Sequence, residues 1–226
     1  MGSFSFKQFS VSQTKSSMKV NTDGVLLGAW AKINPLDRQI LDIGTGTGVI
    51  ALIMAQRAPE SFIMAVEAER NFTSSKWANR LKVENTSIQA FATKCKTIKF
   101  DHIISNPPYF DQSLKSEKER KSVARHSDCG LSFTELASCS ANLLSETGRL
   151  SVVIPYLEME RMVEEAAKSG LTISRCTYVR TTKEKQYKRV LHEFSKEQDC
   201  ALEESLLTIH SESVSSYSEE YRELLK

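Results

Sequence analysis

The sequence has 226 residues, of which 40% are hydrophobic and 26% charged, with a formal net charge of +2. A chain of this length can bury one substantial core, so we expect a single domain over 1–226. It contains no run of about 18 uncharged apolar residues and no signal-peptide pattern, so we expect a cytoplasmic protein without a membrane span. The cysteines are odd in number and widely spaced, and the histidines lack metal-ligand spacing, so we predict reduced thiols and no metal site.

Strand and helix patterns alternate along the chain. The N-terminal segment, 1–36, contains a short helical pattern near 23–32, and another helical pattern covers 217–226. Strands are predicted near 40–43, 62–66, 86–91, 102–105, 149–154, 171–179 and 189–195, with helices in most of the gaps. This alternation is typical of an α/β fold, in which helices cover both faces of a mostly parallel sheet, here of seven strands.

Two of the predicted helices carry terminal signals. The helix near 133–144 is preceded by Ser132 and has Glu135 three residues later, which is the spacing of a capping box. The helix near 156–169 ends at Gly170, a residue that suits the position just after a helix.

A glycine-rich loop follows the first predicted strand. The segment 40–48 reads Ile-Leu-Asp-Ile-Gly-Thr-Gly-Thr-Gly and leads directly into an apolar helical pattern from Val49. Gly44, Gly46 and Gly48 allow positive φ and close approach to a ligand, beside the unpaired N–H groups of a helix N-terminus. The spacing is neither G-x-G-x-x-G nor that of a P-loop, so phosphate binding is disfavoured.

An acidic residue closes the second predicted strand. Glu67 follows the apolar run 62–66, about 20 residues after the glycine loop, where related folds place a carboxylate on ribose hydroxyls. A solvated surface glutamate is the alternative interpretation. The position directly after a strand favours the functional one.

The tetrapeptide Asn106-Pro107-Pro108-Tyr109 follows the apolar run 102–105, which is predicted to be a buried strand. The prolines fix φ and offer no amide donors, so the Asn106 side chain and the Pro107 carbonyl are held in defined directions. These two acceptors suit the N–H groups of a planar amino group, and Tyr109 suits stacking on the attached base. For this segment alone, an ordinary proline turn is the alternative.

These features together resemble the class I methyltransferases that use S-adenosylmethionine, which have a Rossmann-like fold. The segments 4–9 (Phe-Ser-Phe-Lys-Gln-Phe) and 18–30 (Met-Lys-Val-Asn-Thr-Asp-Gly-Val-Leu-Leu-Gly-Ala-Trp) further resemble the opening of the bacterial tRNA1(Val) adenine-N6-methyltransferases. The resemblance continues through 124–126, 189–191 and 217–219 and covers nearly the whole chain. It implies methylation of the exocyclic N6 amino group of the adenine beside the anticodon of a valine tRNA.

The resemblance also implies roles for individual residues. Asp42 would support the methionine amino group of S-adenosylmethionine, the glycine loop would make room for it, and Glu67 would take its ribose hydroxyls. The segment 1–36 would pack on the cofactor side, and its residues Lys19, Thr22 and Asp23 would help to close the pocket. The helical pattern of 217–226 stops where relatives usually continue, which leads us to expect a truncated C-terminus.

One departure from the family pattern concerns the adenine ring of the cofactor. Relatives usually offer an aspartate after the third strand, but the segment 88–93 contains no acid. We expect Gln89 or Thr93 to substitute through neutral hydrogen bonds and Phe91 to pack on the ring. Loss of one such contact typically costs only about 1–3 kcal/mol.

Basic residues are concentrated in two segments, 115–125 and 175–189, whereas acidic residues predominate after 197. Either segment alone is best explained as a solvated surface, but two basic segments that flank one predicted site favour contacts with tRNA phosphates. The predicted RNA-binding residues are Lys115, Lys118, Arg120, Lys121, Arg125, Arg180, Lys183, Lys185, Lys188 and Arg189.

Two other functions remain open at this stage. A protein glutamine-N5 methyltransferase would use the same acceptors, since release-factor methyltransferases share the N-P-P-Y motif, but it would not require two basic segments. A non-catalytic RNA-binding protein with a degenerate cofactor site would explain the missing acid. We favour the tRNA adenine-N6 methyltransferase, acting as a monomer.

Overall fold

The computed structural model describes residues 3–12, 19–68, 72, 75–108, 131–211 and 216–226. The N-terminal half contains β1 (Ser3–Ser5), β2 (Ser10–Ser12), α1 (Thr22–Trp30), β3 (Gln39–Gly46), α2 (Val49–Arg57), β4 (Phe62–Ala68), β5 (Leu81–Glu84), α3 (Ile88–Lys94) and β6 (Phe100–Ser105). The C-terminal half contains α4 (Phe133–Leu143), β7 (Leu144–Pro155), α5 (Met159–Lys168), β8 (Thr172–Arg180), β9 (Tyr187–Ser195), β10 (Glu203–Thr208) and α6 (Glu219–Leu224).

The central sheet has eight strands in the order β10-β8-β9-β7-β6-β3-β4-β5. Strands β5, β4, β3, β6 and β7 are parallel, and β9 is antiparallel to both of its neighbours, β7 and β8. The predicted α/β class with a mostly parallel sheet is confirmed, with β10 as an eighth strand at one edge that the sequence patterns did not predict. The parallel strands β3, β4, β6 and β7 all terminate at one end of the sheet. We call this end the carboxyl edge, as distinct from the lateral sides formed by β10 and β5.

The strand predicted near 86–91 is wrong. The third parallel strand is β5, at Leu81–Glu84, and the predicted segment instead begins the helix α3. Ser87 starts this helix, because its hydroxyl accepts a hydrogen bond from the Ala90 amide at 3.3 Å. Ile88 and Phe91 are buried at a helical spacing of three residues.

Side chains that alternate along the strands form two hydrophobic cores, one on each face of the sheet. Ile40 and Ile104 pack with α1 and α2 in the first core. Their chain neighbours Leu41 and Ile103 pack with α3, α4 and α5 in the second. This alternation follows from the two-residue period of a strand, and it explains why the buried parallel strands are apolar at successive positions.

A polar cluster at the opposite edge of the sheet anchors the C-terminal end of α1. The Arg175 guanidinium lies 3.6 Å from the centre of the Trp30 ring and donates to the Trp30 carbonyl at 3.1 Å. The Trp30 indole N–H donates in turn to the Thr177 hydroxyl at 2.8 Å. These contacts to β8 fix the direction of α1, whose N-terminal end reaches the carboxyl edge.

The predicted helix ends are confirmed at both α4 and α5. The Ser132 hydroxyl accepts from the Glu135 amide at 3.2 Å, and the Glu135 carboxylate accepts from the Ser132 amide at 3.0 Å. Gly170 follows α5 with φ of +77°. No helix of the described segments is long and apolar enough to cross a membrane.

Ser132→Ala is expected to lower the free energy of unfolding by about 1 kcal/mol, because the first turn of α4 loses its side-chain acceptor. Urea titration followed by circular dichroism measures this difference. Ser138→Ala in the same helix is the matched control, since the exposed Ser138 hydroxyl donates to the Glu135 carbonyl within the helix and caps neither of its ends. Equal stability of the two variants would contradict the capping role.

Candidate active site

The glycine loop and the Asn-Pro-Pro segment leave neighbouring strands at the same level of the carboxyl edge. Ile43 of β3 pairs with Ser105 of β6, so Gly44 and Asn106 each lie one residue beyond this pair. The Ser105 hydroxyl donates to the Ile43 carbonyl at 3.0 Å and ties the two strand ends together. Since adjacent strands lie about 4.8 Å apart, the two segments begin side by side.

The described part of the Asn-Pro-Pro-Tyr motif is partly shielded from solvent. Asn106 and Pro108 are half-buried and Pro107 is buried. Tyr109 and the predicted RNA-binding residues Lys115, Lys118, Arg120, Lys121 and Arg125 lie outside the described residues. The expected acceptors therefore sit at the end of a buried strand.

Within the described part of the chain, the glycine loop leaves open space above its first two glycines. Gly44 and Gly46 have φ of +70° and +51°. A Cβ atom added at Gly44 would meet no atom of the described residues within 4 Å, and among the same residues one at Gly46 would meet only the Gly44 carbonyl oxygen, at 3.9 Å. Gly48 differs, because its φ is +84° and an added Cβ would lie 2.8 Å from the Phe72 ring. Positive φ favours glycine at all three positions, and close packing against Phe72 excludes a larger residue at Gly48.

Asp42 lies beneath this loop with only 1% of its surface exposed. Its Oδ2 atom accepts a hydrogen bond from the Ala51 amide at 3.0 Å, in the first turn of α2. The N-cap residue of that helix, Gly48, has no side chain to do this. No described group bonds the buried Oδ1 atom, and burial raises the pKa of Asp42 from 3.8 to about 7.

Glu67 closes β4 in a strained conformation. It has φ of +59° and is the only non-glycine residue with positive φ among the described residues. Its exposed carboxylate accepts a hydrogen bond from the Ile88 amide at 3.3 Å, at the N-terminus of α3. This hydrogen bond holds the Glu67 carboxylate beside the start of α3, which follows the neighbouring strand β5. The sequence predicted a contact with ribose hydroxyls at Glu67.

The contacts predicted for the segment 88–93 are not supported by its packing. Phe91 is 1% exposed and packs 6.2 Å from the Phe100 ring in the second core, so little of its surface is left for a ligand. Gln89 donates to Glu135 at 2.9 Å, and Thr93 donates to the Gln89 carbonyl. Because the segment is a helix, its start presents the Ile88 amide, which donates to Glu67, instead of a strand-end side chain.

The N-terminal part of α1 lies beside the start of α2. A Cβ atom added at Gly24 would lie 3.2 Å from Val49 Cγ1, and the Asn21 side chain caps α1 by accepting from the Gly24 amide at 2.9 Å. Lys19 and Thr22 are exposed next to it. The predicted pocket-closing segment therefore borders the glycine loop through α2.

Asp23 and Arg189, predicted for cofactor and RNA respectively, bind each other. The Arg189 Nε atom donates to Asp23 Oδ2 at 2.8 Å. Arg189 pairs with Pro155, the last residue of β7, so the ion pair lies at the carboxyl edge. The sequence did not predict this pair, because the two residues are 166 positions apart.

The turn between β8 and β9 lies at the same edge, because β8 runs in the direction of β7. Lys183 and Lys185 of the turn and Lys188 at the start of β9 are exposed, whereas Arg180, the last residue of β8, is half-buried and donates to the Lys183 carbonyl at 2.9 Å. Three lysines of the second basic segment therefore face solvent next to the site.

A cluster of tyrosines supports this turn. The rings of Tyr156, Tyr178 and Tyr187 lie 5.5 to 6.2 Å apart, and Leu157 beside them is 91% exposed. Tyr178 and Tyr187 belong to the second basic segment, but Tyr156 directly follows β7 and gave no separate sequence signal. The cluster adds an aromatic surface to the basic turn.

Comparisons with known proteins place the chain in a family. A family model described as methyltransferase small domain matches residues 21–184. A protein of Phocaeicola vulgatus named tRNA1(Val) (adenine(37)-N6)-methyltransferase is 44% identical over 230 residues, which are 99% of this chain and 95% of that protein. A Bacteroides fragilis protein of the same name is 43% identical over 231 residues, with the same coverage. The chain belongs to the tRNA1(Val) (adenine(37)-N6)-methyltransferase family.

A solved structure supports the fold of this methyltransferase. The crystal structure of a predicted O-methyltransferase from Agrobacterium tumefaciens matches it with a TM-score of 0.65 and 17% identity, covering 90% of this chain and 95% of that one. The described residues of the methyltransferase contain no cluster of three or more His, Cys, Asp or Glu residues suited to a metal ion.

Asp42→Asn is expected to stabilise the methyltransferase relative to the wild type as pH rises. The fold raises the pKa of Asp42 from 3.8 to about 7, so the favourable contribution of its protonated form is present below pH 4 and lost by about pH 7. The variant, which stays neutral, should gain up to a few kcal/mol over the wild type across this window. Urea titrations at pH 4.5, 6 and 7.5 measure the difference, and a constant difference would contradict the raised pKa.

Proposed function

We propose that the protein transfers the methyl group of S-adenosylmethionine to the exocyclic N6 atom of an adenine in tRNA, the adenine beside the anticodon of valine tRNA. The observation that carries the proposal is the adjacency of Gly44 and Asn106 on neighbouring strands. Because of this adjacency, the space above the glycine loop would lie next to the two proposed acceptors of an amino group, the Asn106 side chain and the Pro107 carbonyl. The names of the relatives favour the same substrate.

The residues beside the loop fit S-adenosylmethionine. Asp42 would accept a hydrogen bond from the methionine ammonium through its unpaired Oδ1 atom, and the space above Gly44 and Gly46 would admit the backbone of the ligand. Glu67 would accept from the ribose hydroxyls, and the Ile88 amide, now bonded to Glu67, would become a donor to the adenine ring. When bound, the cofactor supplies a methyl group on a positively charged sulfur.

Asn106 and Pro107 would act on the nucleophile. Adenine N6 is a poor nucleophile because its lone pair is delocalised into the ring. If the Asn106 side-chain oxygen and the Pro107 carbonyl accept its two N–H groups, the lone pair is localised and directed towards the methyl group. No strong base is then required to begin the attack, because the N6–methyl bond would form as the sulfur–methyl bond breaks and the cationic nitrogen would then lose one proton to solvent. The protein contributes mainly by positioning. Tyr109 would replace the stacking that the target base loses when it leaves its helix.

The basic surface favours RNA over a protein glutamine as the substrate. A glutamine amide has a similarly delocalised lone pair and suits the same acceptors, but it does not require cations around the site. Lys183, Lys185 and Lys188 are exposed at the carboxyl edge beside the tyrosine cluster. Lysines next to aromatic rings match the alternating phosphates and bases of an RNA strand. We also propose that the enzyme acts in the cytoplasm as a monomeric single domain.

Asn106→Ala is expected to lower kcat for tRNA methylation by about 100-fold or more, because one of two oriented acceptors is lost. The assay uses labelled S-adenosylmethionine and unmodified valine tRNA, followed by digestion to nucleosides and detection of N6-methyladenosine. Asn79→Ala, at an exposed asparagine of the turn Ala78–Arg80, is the matched control. Full activity of the Asn106 variant would remove the proposed acceptor role, and label in glutamine residues only would favour the protein substrate.

Binding of S-adenosylmethionine at pH 6 is expected to release about one proton from Asp42, because the group has a pKa of about 7 when free and would be ionised beside an ammonium group. Calorimetry in two buffers of different protonation enthalpy measures this number. Asp42→Asn has no proton to release and is expected to bind more weakly. Identical apparent enthalpies in the two buffers would contradict the proposed contact, and absence of any binding would favour the non-catalytic alternative.

A further inference from the structure

A cavity of about 930 Å³ is lined by the segment Phe4–Phe9, by outward-facing residues of α1 and α2, and by the C-terminal residues Tyr217, Tyr221, Arg222, Leu224, Leu225 and Lys226. Its volume is within the range of about 300–1,000 Å³ that small-ligand pockets occupy. It is not lined by the glycine loop, Glu67 or Asn106, so the proposed methyl transfer does not use it.

Aromatic rings form two facing walls of this cavity. On one wall the Phe6 ring lies 4.9 Å from Phe4 and 4.5 Å from Phe9, and on the other Tyr217 lies 5.1 Å from Tyr221. Phe4 and Tyr217 are 45% and 52% exposed, so each ring keeps surface open to solvent beyond its contacts with Phe6 or with His210 and Tyr221.

The charges of the cavity have one sign. Its described lining includes Lys7, Arg57, Arg222 and Lys226 and no aspartate or glutamate side chain. Arg57 donates to the Gly28 and Ala31 carbonyls, and Lys226 pairs with Glu223. Lys7 and Arg222 are exposed on the two walls, and neither forms an ion pair with a carboxylate of the described segments.

One end of the cavity meets the carboxyl edge. Asn21 and Thr22 line it and also begin α1, whose Gly24 packs against the start of α2. From there the cavity follows α1 from Thr22 to Ala29 and the second half of α2, from Ile53 to Arg57. Eight residues of α1 at 1.5 Å each give a length of about 12 Å. An RNA strand bound at the carboxyl edge would enter the cavity beside Asn21 and Thr22.

Exposed rings combined with unpaired cations fit single-stranded nucleic acid. Each nucleotide offers a planar base that stacks on an aromatic side chain and a phosphate that pairs with lysine or arginine. An apolar chain would leave Lys7 and Arg222 unmatched, and an acidic peptide would leave the ring faces unmatched. The charge complementarity therefore favours RNA over these occupants.

We propose that this cavity binds unpaired nucleotides of the RNA substrate that flank the target adenine, with bases on Phe4 and Tyr217 and phosphates on Lys7 and Arg222. The proposal rests on the proposed function, since it assumes an RNA substrate. It assigns the N-terminal segment and α6 a direct role in holding that substrate.

The test measures binding of fluorescently labelled, unmodified valine tRNA to the full chain by anisotropy over a range of salt concentrations. The double variant Lys7→Ala/Arg222→Ala is expected to bind more weakly and to reduce the slope of log K against log salt by about two, one for each lost phosphate contact. Phe4→Ala is expected to weaken binding by about fivefold or more without changing that slope.

Matched controls lie at the opposite edge of the sheet. Lys94 and Lys168 are exposed in the last turns of α3 and α5, and their double alanine variant removes the same charge from the protein. Phe62, 55% exposed at the start of β4, is the control for Phe4. Thermal melting confirms that all variants are folded.

The outcomes separate this proposal from the proposed function. Weaker binding by the cavity variants and not by the controls supports the proposal. If the wild type binds tRNA and the cavity variants bind equally well, or no more weakly than the controls, the cavity proposal is overturned and the proposed function stands. If the wild type binds no tRNA, the RNA substrate itself is wrong and both proposals fall.

Discussion

The site depends on one buried carboxylate, that of Asp42. It joins β3 to the first turn of α2, because its Oδ2 atom accepts a hydrogen bond from the Ala51 amide. Gly48, the N-cap residue of α2, has no side chain that could accept it. The Asp42–Ala51 hydrogen bond spans the glycine loop, in which Gly44 and Gly46 have positive φ and leave space among the described residues. Burial without a partner for Oδ1 opposes ionisation and raises the pKa of Asp42 to about 7. Ionisation of Asp42 therefore costs free energy in this structure, and a cationic ligand group next to Oδ1 would offset that cost.

The order and direction of the strands assemble everything else around this carboxylate. Parallel β3, β4 and β6 bring the glycine loop, Glu67 and Asn106 to one edge, which is where open α/β sheets bind ligands. The antiparallel strand β9 turns the chain back, so that the basic turn between β8 and β9 reaches that edge as well. The Asp23–Arg189 ion pair links α1 to β9 across the site. One topology therefore supplies the proposed cofactor pocket, the proposed base pocket and a basic surface together.

Much of the fold follows from local patterns that the tertiary structure does not override. The capping box of α4, the end of α5 at Gly170 and the apolar strands β3, β4 and β6 all lie where the sequence predicts them. The prediction failed for 86–91, because burial of Ile88 and Phe91 fits both a strand and a short helix, and only the Ser87 cap distinguishes them. Burial of Phe91 in the core then removed a predicted cofactor contact.

The sequence by itself determined which residue types were available for the chemistry: a glycine loop after a strand, an acid closing the next, and an asparagine held by prolines. These signals are local, since positive φ, strand ends and proline-restricted turns depend on residues close together in the chain. Only the tertiary structure decided that Asp23 binds Arg189, that Glu67 accepts from Ile88, and that Phe4 faces Tyr217 across a cavity. Such contacts join residues far apart in sequence, and their formation depends on strand order and helix packing, which no local pattern encodes.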